Sequence, residues 1–319
     1  MTTEPYRVDI HHHIVPRDYV KSLNSRGITK TSGVTFPEWS ETEMLEVMDR
    51  NGISTAITSI SSPGVYFGDS AFARDLARQC NEISAKLVRD NPQRFGAFAT
   101  LPLPDADAAL NEIDYAMDTL GLDGLVLMTN FGGRYLGDPL FETVFEELNR
   151  RKAVVFVHPT DPAGSNAIGL DISNSLYEFT FDTTRAITNL VYSGTLERNP
   201  EVRFIFSHAG GTIPFLAWRI SLGQFMIPNA AKNAPQGFIN YLKRLYYDSA
   251  LSTTPYALRS LQELVDPSQI LFGSDYPFAP ENLTAEQVKQ LNSYEGFDKQ
   301  ARMRIERENA LRLFPRLRL

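Results

Sequence analysis

Short apolar, β-branched runs alternate with amphipathic stretches along most of this chain. The first run is Arg7 to His13, and strand-like runs follow at Thr55–Ile60, Phe95–Thr100 and Gly124–Met128. Four more lie at Ala153–Val157, Val202–Phe206, Leu245–Asp248 and Ile270–Gly273. Between them the apolar positions recur at helical spacing, in Glu41–Asn51, Ala71–Asp90, Ala106–Leu120, Leu140–Arg151 and Phe181–Ser193. Further helices are expected from near Ile213, over Pro255–Leu264, and over Lys299–Leu313 as a closing tail. The stretch from Pro16 to Ser40 is long and polar, with Gly27, Gly33, Pro37 and Trp39, and reads as a loop.

Strands that alternate with helices imply a parallel sheet, because a parallel crossover needs the length of a helix. Eight such units predict a single (β/α)8 TIM-type barrel with a C-terminal helix, one domain over residues 1–319. A doubly wound sheet would carry a glycine-rich phosphate loop after its first strand, and Gly132-Gly133 and Gly210-Gly211 do not make one.

The chemistry sits where these strands end. The chain has five histidines, and the first three are consecutive: His11, His12 and His13. In a strand, side chains alternate, so His11 and His13 share a face about 7 Å apart along the backbone while His12 points away. The flanks Val8-Asp9-Ile10 and Ile14-Val15-Pro16 are strand-like, unlike the linkers around a purification tag. His158 and His208 each close an apolar strand, and the last strand runs into Gly273-Ser274-Asp275. In a barrel all these strand ends face one mouth, the one where active sites are built. Imidazoles with one carboxylate suit a divalent metal, Zn²⁺ best and Mn²⁺ as the other choice, with one coordination position open for water or substrate.

Composition narrows the class further. Hydrophobic residues make up 43% and charged residues 22% of the 319, with a net charge of −7, which gives no reason to expect a nucleic-acid or anionic-membrane partner. The arginines between Arg302 and Arg318 alternate with Glu306, Glu308 and apolar residues, as on a solvated helix face. No apolar run reaches about 18 residues, and the lone Cys80 allows no intrachain disulfide. A cytoplasmic enzyme is the expectation.

The segments Asp9-Ile10-His11-His12-His13, Val157-His158-Pro159, Ser207-His208-Ala209-Gly210-Gly211, Gly273-Ser274-Asp275-Tyr276-Pro277-Phe278 and Asn309 to Pro315 together resemble the amidohydrolase superfamily. Within it they resemble the branch of the aminocarboxymuconate-semialdehyde decarboxylases. The resemblance implies that His11, His13, His158 and Asp275 bind one metal ion, with His208 beside the bound water or substrate. Where dinuclear members carry a bridging lysine, after the fourth strand, this chain has Leu127-Met128-Thr129-Asn130, which implies a mononuclear site.

The match through Gly210 to Phe215 implies that Arg219 reaches a neighbouring subunit's pocket, and hence a homodimer or a dimer of dimers. The run Tyr177 to Arg185 resembles the salicylate-type decarboxylases, 6-methylsalicylate decarboxylase in particular. The implied reaction is loss of CO₂ from a small ortho-hydroxy aromatic acid, with Asp275 as proton donor, its pKa moved towards neutrality, and His208 assisting. Aromatic side chains for the pocket are expected among Trp39, Tyr66, Phe67, Phe179, Phe181, Tyr276 and Phe278. A metal-dependent lactone or amide hydrolase needs nearly the same residues and is the alternative. A structural zinc site would be richer in cysteine.

Overall fold

The computed structural model describes residues 6–165 and 170–318. Eight parallel strands lie side by side in chain order: β1 (Arg7–His13), β2 (Ile53–Ser59), β3 (Phe95–Thr100), β4 (Gly124–Met128), β5 (Val154–His158), β6 (Arg203–Phe206), β7 (Tyr246–Asp248) and β8 (Ile270–Leu271). The segment after β8 returns to β1. Ile10 N–H donates to Phe272 O at 3.0 Å, Asp275 N–H to His11 O at 2.8 Å, and His13 N–H to Tyr276 O at 2.7 Å. These bonds close the barrel, so the first and last of its eight strands are not left as open edges.

The predicted strands and most predicted helices form where the apolar pattern put them. Helices α1 (Arg17–Asn24) and α9 (Glu281–Ser293) were not expected. The reason lies in their composition: α1 buries only Tyr19 and Leu23, and α9 buries Thr284, Gln287 and Leu291, so neither writes an apolar stripe into the sequence. The remaining long helices are α2 (Glu41–Arg50), α3 (Ser70–Asp90), α4 (Ala106–Asp114), α5 (Glu142–Arg150), α6 (Glu178–Tyr192), α7 (Ile213–Ser221) and α8 (Pro255–Gln262). Ser40, Asp69 and Asp105 cap the first turns of α2, α3 and α4 with side-chain oxygens on backbone N–H groups. The tail helix is interrupted, its halves Lys299–Met303 and Asn309–Leu313 joined by a wider turn that buries Ile305 and Glu306. Among the described residues no helix is long and apolar enough to cross a membrane.

Large rings fill the barrel. Phe314 from the tail meets Phe98 at 5.7 Å between ring centres, Phe98 stacks on Phe156 at 5.4 Å, and Phe156 meets the His11 ring at 4.9 Å. A column of aromatic rings therefore supports the histidines from below.

The seam between β1 and β8 depends on two small features. Asp9, fully buried, accepts hydrogen bonds from His11 N–H (3.0 Å), Ser274 N–H (3.1 Å) and the Ser274 hydroxyl, and is paired with His12 Nδ1 at 2.8 Å. Gly273 lets the two backbones approach: a Cβ there would stand 2.7 Å from His11 Cβ. Gly273→Ala is therefore expected to destabilise the fold by about 1–3 kcal/mol, as overpacking does. A denaturation midpoint indistinguishable from that of the parent would show that the seam tolerates the methyl group.

Candidate metal centre

His11 and His13 end β1 on the same side, and His158 ends β5 across the barrel. Asp275 follows β8. One ligand atom from each of His11, His13, His158 and Asp275 lies within 4.8 Å of all the others, and all four residues are buried. His11 Nε2 and His13 Nε2 are 3.0 Å apart, and each is 3.1 Å from Asp275 Oδ1.

The outer hydrogen bonds decide what these atoms offer. His158 Nδ1 faces the carbonyl of Pro159 at 2.8 Å, which can only accept, so the proton is on Nδ1 and Nε2 carries the lone pair. His11 Nδ1 donates in the same way to Asp248 Oδ2 at 2.7 Å, and His13 Nδ1 meets Ser59 Oγ at 3.0 Å. Nitrogen lone pairs and a carboxylate oxygen thus converge on one point, and Asp275 Oδ1 has no hydrogen-bond partner among the described residues. A buried polar atom left so would be costly. A divalent metal ion fits this donor set and satisfies it.

Charge says the same. Burial, with His13 and His11 close by, holds His158 well below the ordinary histidine range, and burial also lowers His13. Burial opposes a charge on His11, yet Asp248 and Asp275 outweigh it and lift its pKa to about 10. The field that would hold a proton there equally favours a cation. Burial also works against ionising Asp275, but His11, His13 and His208 outweigh it, so Asp275 stays a carboxylate well below its usual range. A proton donor moved towards neutrality would serve best, and the imidazoles around Asp275 shift its carboxyl the other way.

His208 stands beside this cluster, its Nε2 3.4 Å from Asp275 Oδ2 and its Nδ1 buried without a partner among the described residues. Backbone strain marks the same place. His208, Ala209 and Asp275 have φ of 54°, 55° and 63°, left-handed values that non-glycine residues rarely adopt. Gly211 is needed next to them, because a Cβ there would lie 2.1 Å from the Thr180 carbonyl oxygen. His12 does point away, onto Asp9 and over the Tyr276 ring at 5.1 Å.

A cavity of about 390 Å³ opens above the cluster, with His158, His208 and Asp275 in its wall. Phe179 and Phe278 line it, their rings edge-on to His158 at 6.0 Å and to His13 at 5.7 Å. Tyr66, Phe67 and three of the substrate-site candidates do not line it. Trp39 packs against the core, Tyr276 is buried on His12, and Phe181 is exposed. The start of α6 at Glu178 explains the split between Phe179 and Phe181, since residues two apart on a helix point roughly 200° apart. Arg219 is exposed on α7, outside the cavity of its own chain.

Sequence reasoning missed Asp248, which binds His11 and also accepts from His208 N–H and Ala250 N–H, both at 2.9 Å. Its signal was available: an acid at the end of the seventh strand faces the same mouth as the histidines. It also missed Asp182, fully buried on α6, which accepts from Thr129, Asn130 (3.0 Å) and Tyr135. Thr129 and Asn130, the residues that follow β4, are thereby engaged by Asp182.

A family model described as amidohydrolase matches residues 8–316. The decarboxylase yanB of Aspergillus niger is 35% identical over 98% of this chain and 88% of its own length. The 6-methylsalicylic acid decarboxylase of Penicillium expansum is 34% identical over 98% of this chain and 97% of its own. A crystal structure of an amidohydrolase II superposes with a TM-score of 0.91 at 31% identity, covering 97% of this chain and 99% of that one.

Because Asp248 orients His11, Asp248→Asn is expected to weaken divalent-metal affinity by roughly 10–100-fold, the usual effect of losing such a partner. Competition with a chelator of known affinity measures it, and an unchanged affinity would leave Asp248 as a backbone clip only.

Proposed function

The chain belongs to the amidohydrolase family, and on that premise we propose that it is a metal-dependent carboxy-lyase, a single barrel domain that removes CO₂ non-oxidatively from an ortho-hydroxy aromatic acid of the salicylate type, such as 6-methylsalicylate. One observation carries the reading: Asp275 joins the metal cluster through Oδ1 and faces His208 through Oδ2 in the cavity wall. The names of relatives that align along nearly the whole chain support the same reaction.

In this proposal His11, His13, His158 and Asp275 hold the ion, and the nitrogen-rich set favours Zn²⁺ over Mn²⁺. When bound, the metal supplies a template and a Lewis acid for the neighbouring carboxylate and phenol oxygens of the substrate. Asp275, being ionised, takes the phenol proton and delivers it to the ring carbon that bears the carboxylate. The bond to the carboxylate then breaks, CO₂ leaves, and its electron pair restores the aromatic ring. The phenolate regains a proton from water on release. His208 steers Asp275 Oδ2 through its imidazole, and Phe179 and Phe278 border the ring space with apolar surface.

Arg219 can serve as a substrate ligand only in a second copy's pocket. Around it on α7 and the following turn, Phe215, Trp218, Phe225 and Met226 are 84%, 71%, 78% and 80% exposed, a surface large enough to bury against a partner. A homodimer, alone or paired again, is the proposed assembly. A cytoplasmic location fits a chain whose one thiol, Cys80, is free and buried.

Incubation of the metal-loaded protein with 6-methylsalicylate is expected to release CO₂ and 3-methylphenol in equal amounts. Hydrolysis of lactones or amides without gas would overturn the reading in favour of a hydrolase. His208→Ala is expected to lower kcat by roughly 10²-fold while metal content stays the same, as misplacing a reacting group does. Arg219→Ala is expected to raise KM with kcat and the sedimenting species unchanged, and an unaltered KM would remove Arg219 from the site.

A further inference from the structure

The cavity changes character from its floor to its mouth. At the floor His158, His208, Asp275 and Phe179 are all less than a tenth exposed. Towards the mouth Val34 is 40%, Leu251 46%, Leu283 39% and Leu176 73% exposed, set among the part-buried hydroxyls of Ser32, Ser175 and Ser252. Among the described residues, His158, His208 and Asp275 are the ionisable groups of the lining. Exposed leucines gathered round one opening call for an apolar occupant, since scattered ones are ordinary but a contiguous set is not.

Leu251 is placed there against its own backbone preference. Its φ is 53°, a conformation a bulky side chain adopts only when its surroundings impose it. Those surroundings are visible. Leu251 N–H donates to Gln287 Oε1 at 2.6 Å, and Gln287 Nε2 donates to Ser274 O at 2.9 Å, next to Asp275. One buried glutamine from α9 therefore ties the rim leucine to the loop that carries the proposed proton carrier. Room is also available: cavities of about 300–1,000 Å³ hold drug-sized ligands, and about 390 Å³ leaves space beyond a single ring.

We propose that this cavity takes hydroxy aromatic acids whose ring carries an aliphatic chain longer than one carbon, with the acid end at the metal cluster and the chain against Leu251, Leu283 and Val34. The proposal rests on the decarboxylase reading above, and it adds the substituent that the far end of the site selects. No covalent step beyond that reading is involved.

The test is a series of salicylates with hydrogen, methyl, ethyl, propyl and pentyl at the 4-position, para to the carboxylate and so at the end of the ring away from the metal cluster, assayed for CO₂ release. Each methylene that leaves water for the aliphatic rim is expected to raise kcat/KM by up to about fourfold, so the value should climb at least to propyl. A decline beyond methyl, with methyl itself turned over, overturns the proposal and leaves the decarboxylase reading standing. Absence of CO₂ from every member sinks that reading and the proposal with it. The double variant Leu251→Ser, Leu283→Ser is expected to flatten the dependence on chain length. A slope that survives this variant, or a change confined to the sedimenting species, assigns the rim to another role and also overturns the proposal.

Discussion

The close approach of β1 to the segment after β8 is the constraint on which the rest depends. Asp275 reaches the His11 and His13 imidazoles because Gly273 has no side chain, since a Cβ there would stand 2.7 Å from His11 Cβ. Asp9 locks that approach with bonds to both segments, and Asp275 N–H bonds the His11 carbonyl. Barrel closure and assembly of the metal ligands are thus one event. A chain that failed to close would leave two imidazoles on one edge and the carboxylate on the other.

Much of this was readable in advance, for physical reasons. Buried parallel strands are short, continuous apolar runs, so Phe95–Thr100 and Gly124–Met128 stand out with their bounds intact. Polar residues at the ends of such runs have nowhere to go but the mouth, which is why His158, His208 and Asp275 could be placed together. Asp248 was read as the end of its strand but escaped as a site residue, because it meets the cluster only through His11 Nδ1, a contact no local pattern encodes.

The walls of the cavity were harder to read, because loops and helix starts set them. Aromatic residues in irregular segments gain by burial wherever they land, and Trp39 and Tyr276 found the core instead. Leu176, Leu251 and Leu283 look like core leucines in the sequence, and only the fold shows them at an opening. Position on a helix mattered as much: α6 begins at Glu178, three residues before the expected Phe181, so Phe179 and Phe181 lie on different helix faces and only Phe179 lines the cavity. The ionisation of Asp275 was equally hidden, since three imidazoles from distant segments set it.

The column from Phe314 through Phe98 and Phe156 to His11 leaves little passage along the barrel axis. The cluster therefore meets solvent through the cavity above it, and a ligand seated in that cavity comes between the ion's donors and water.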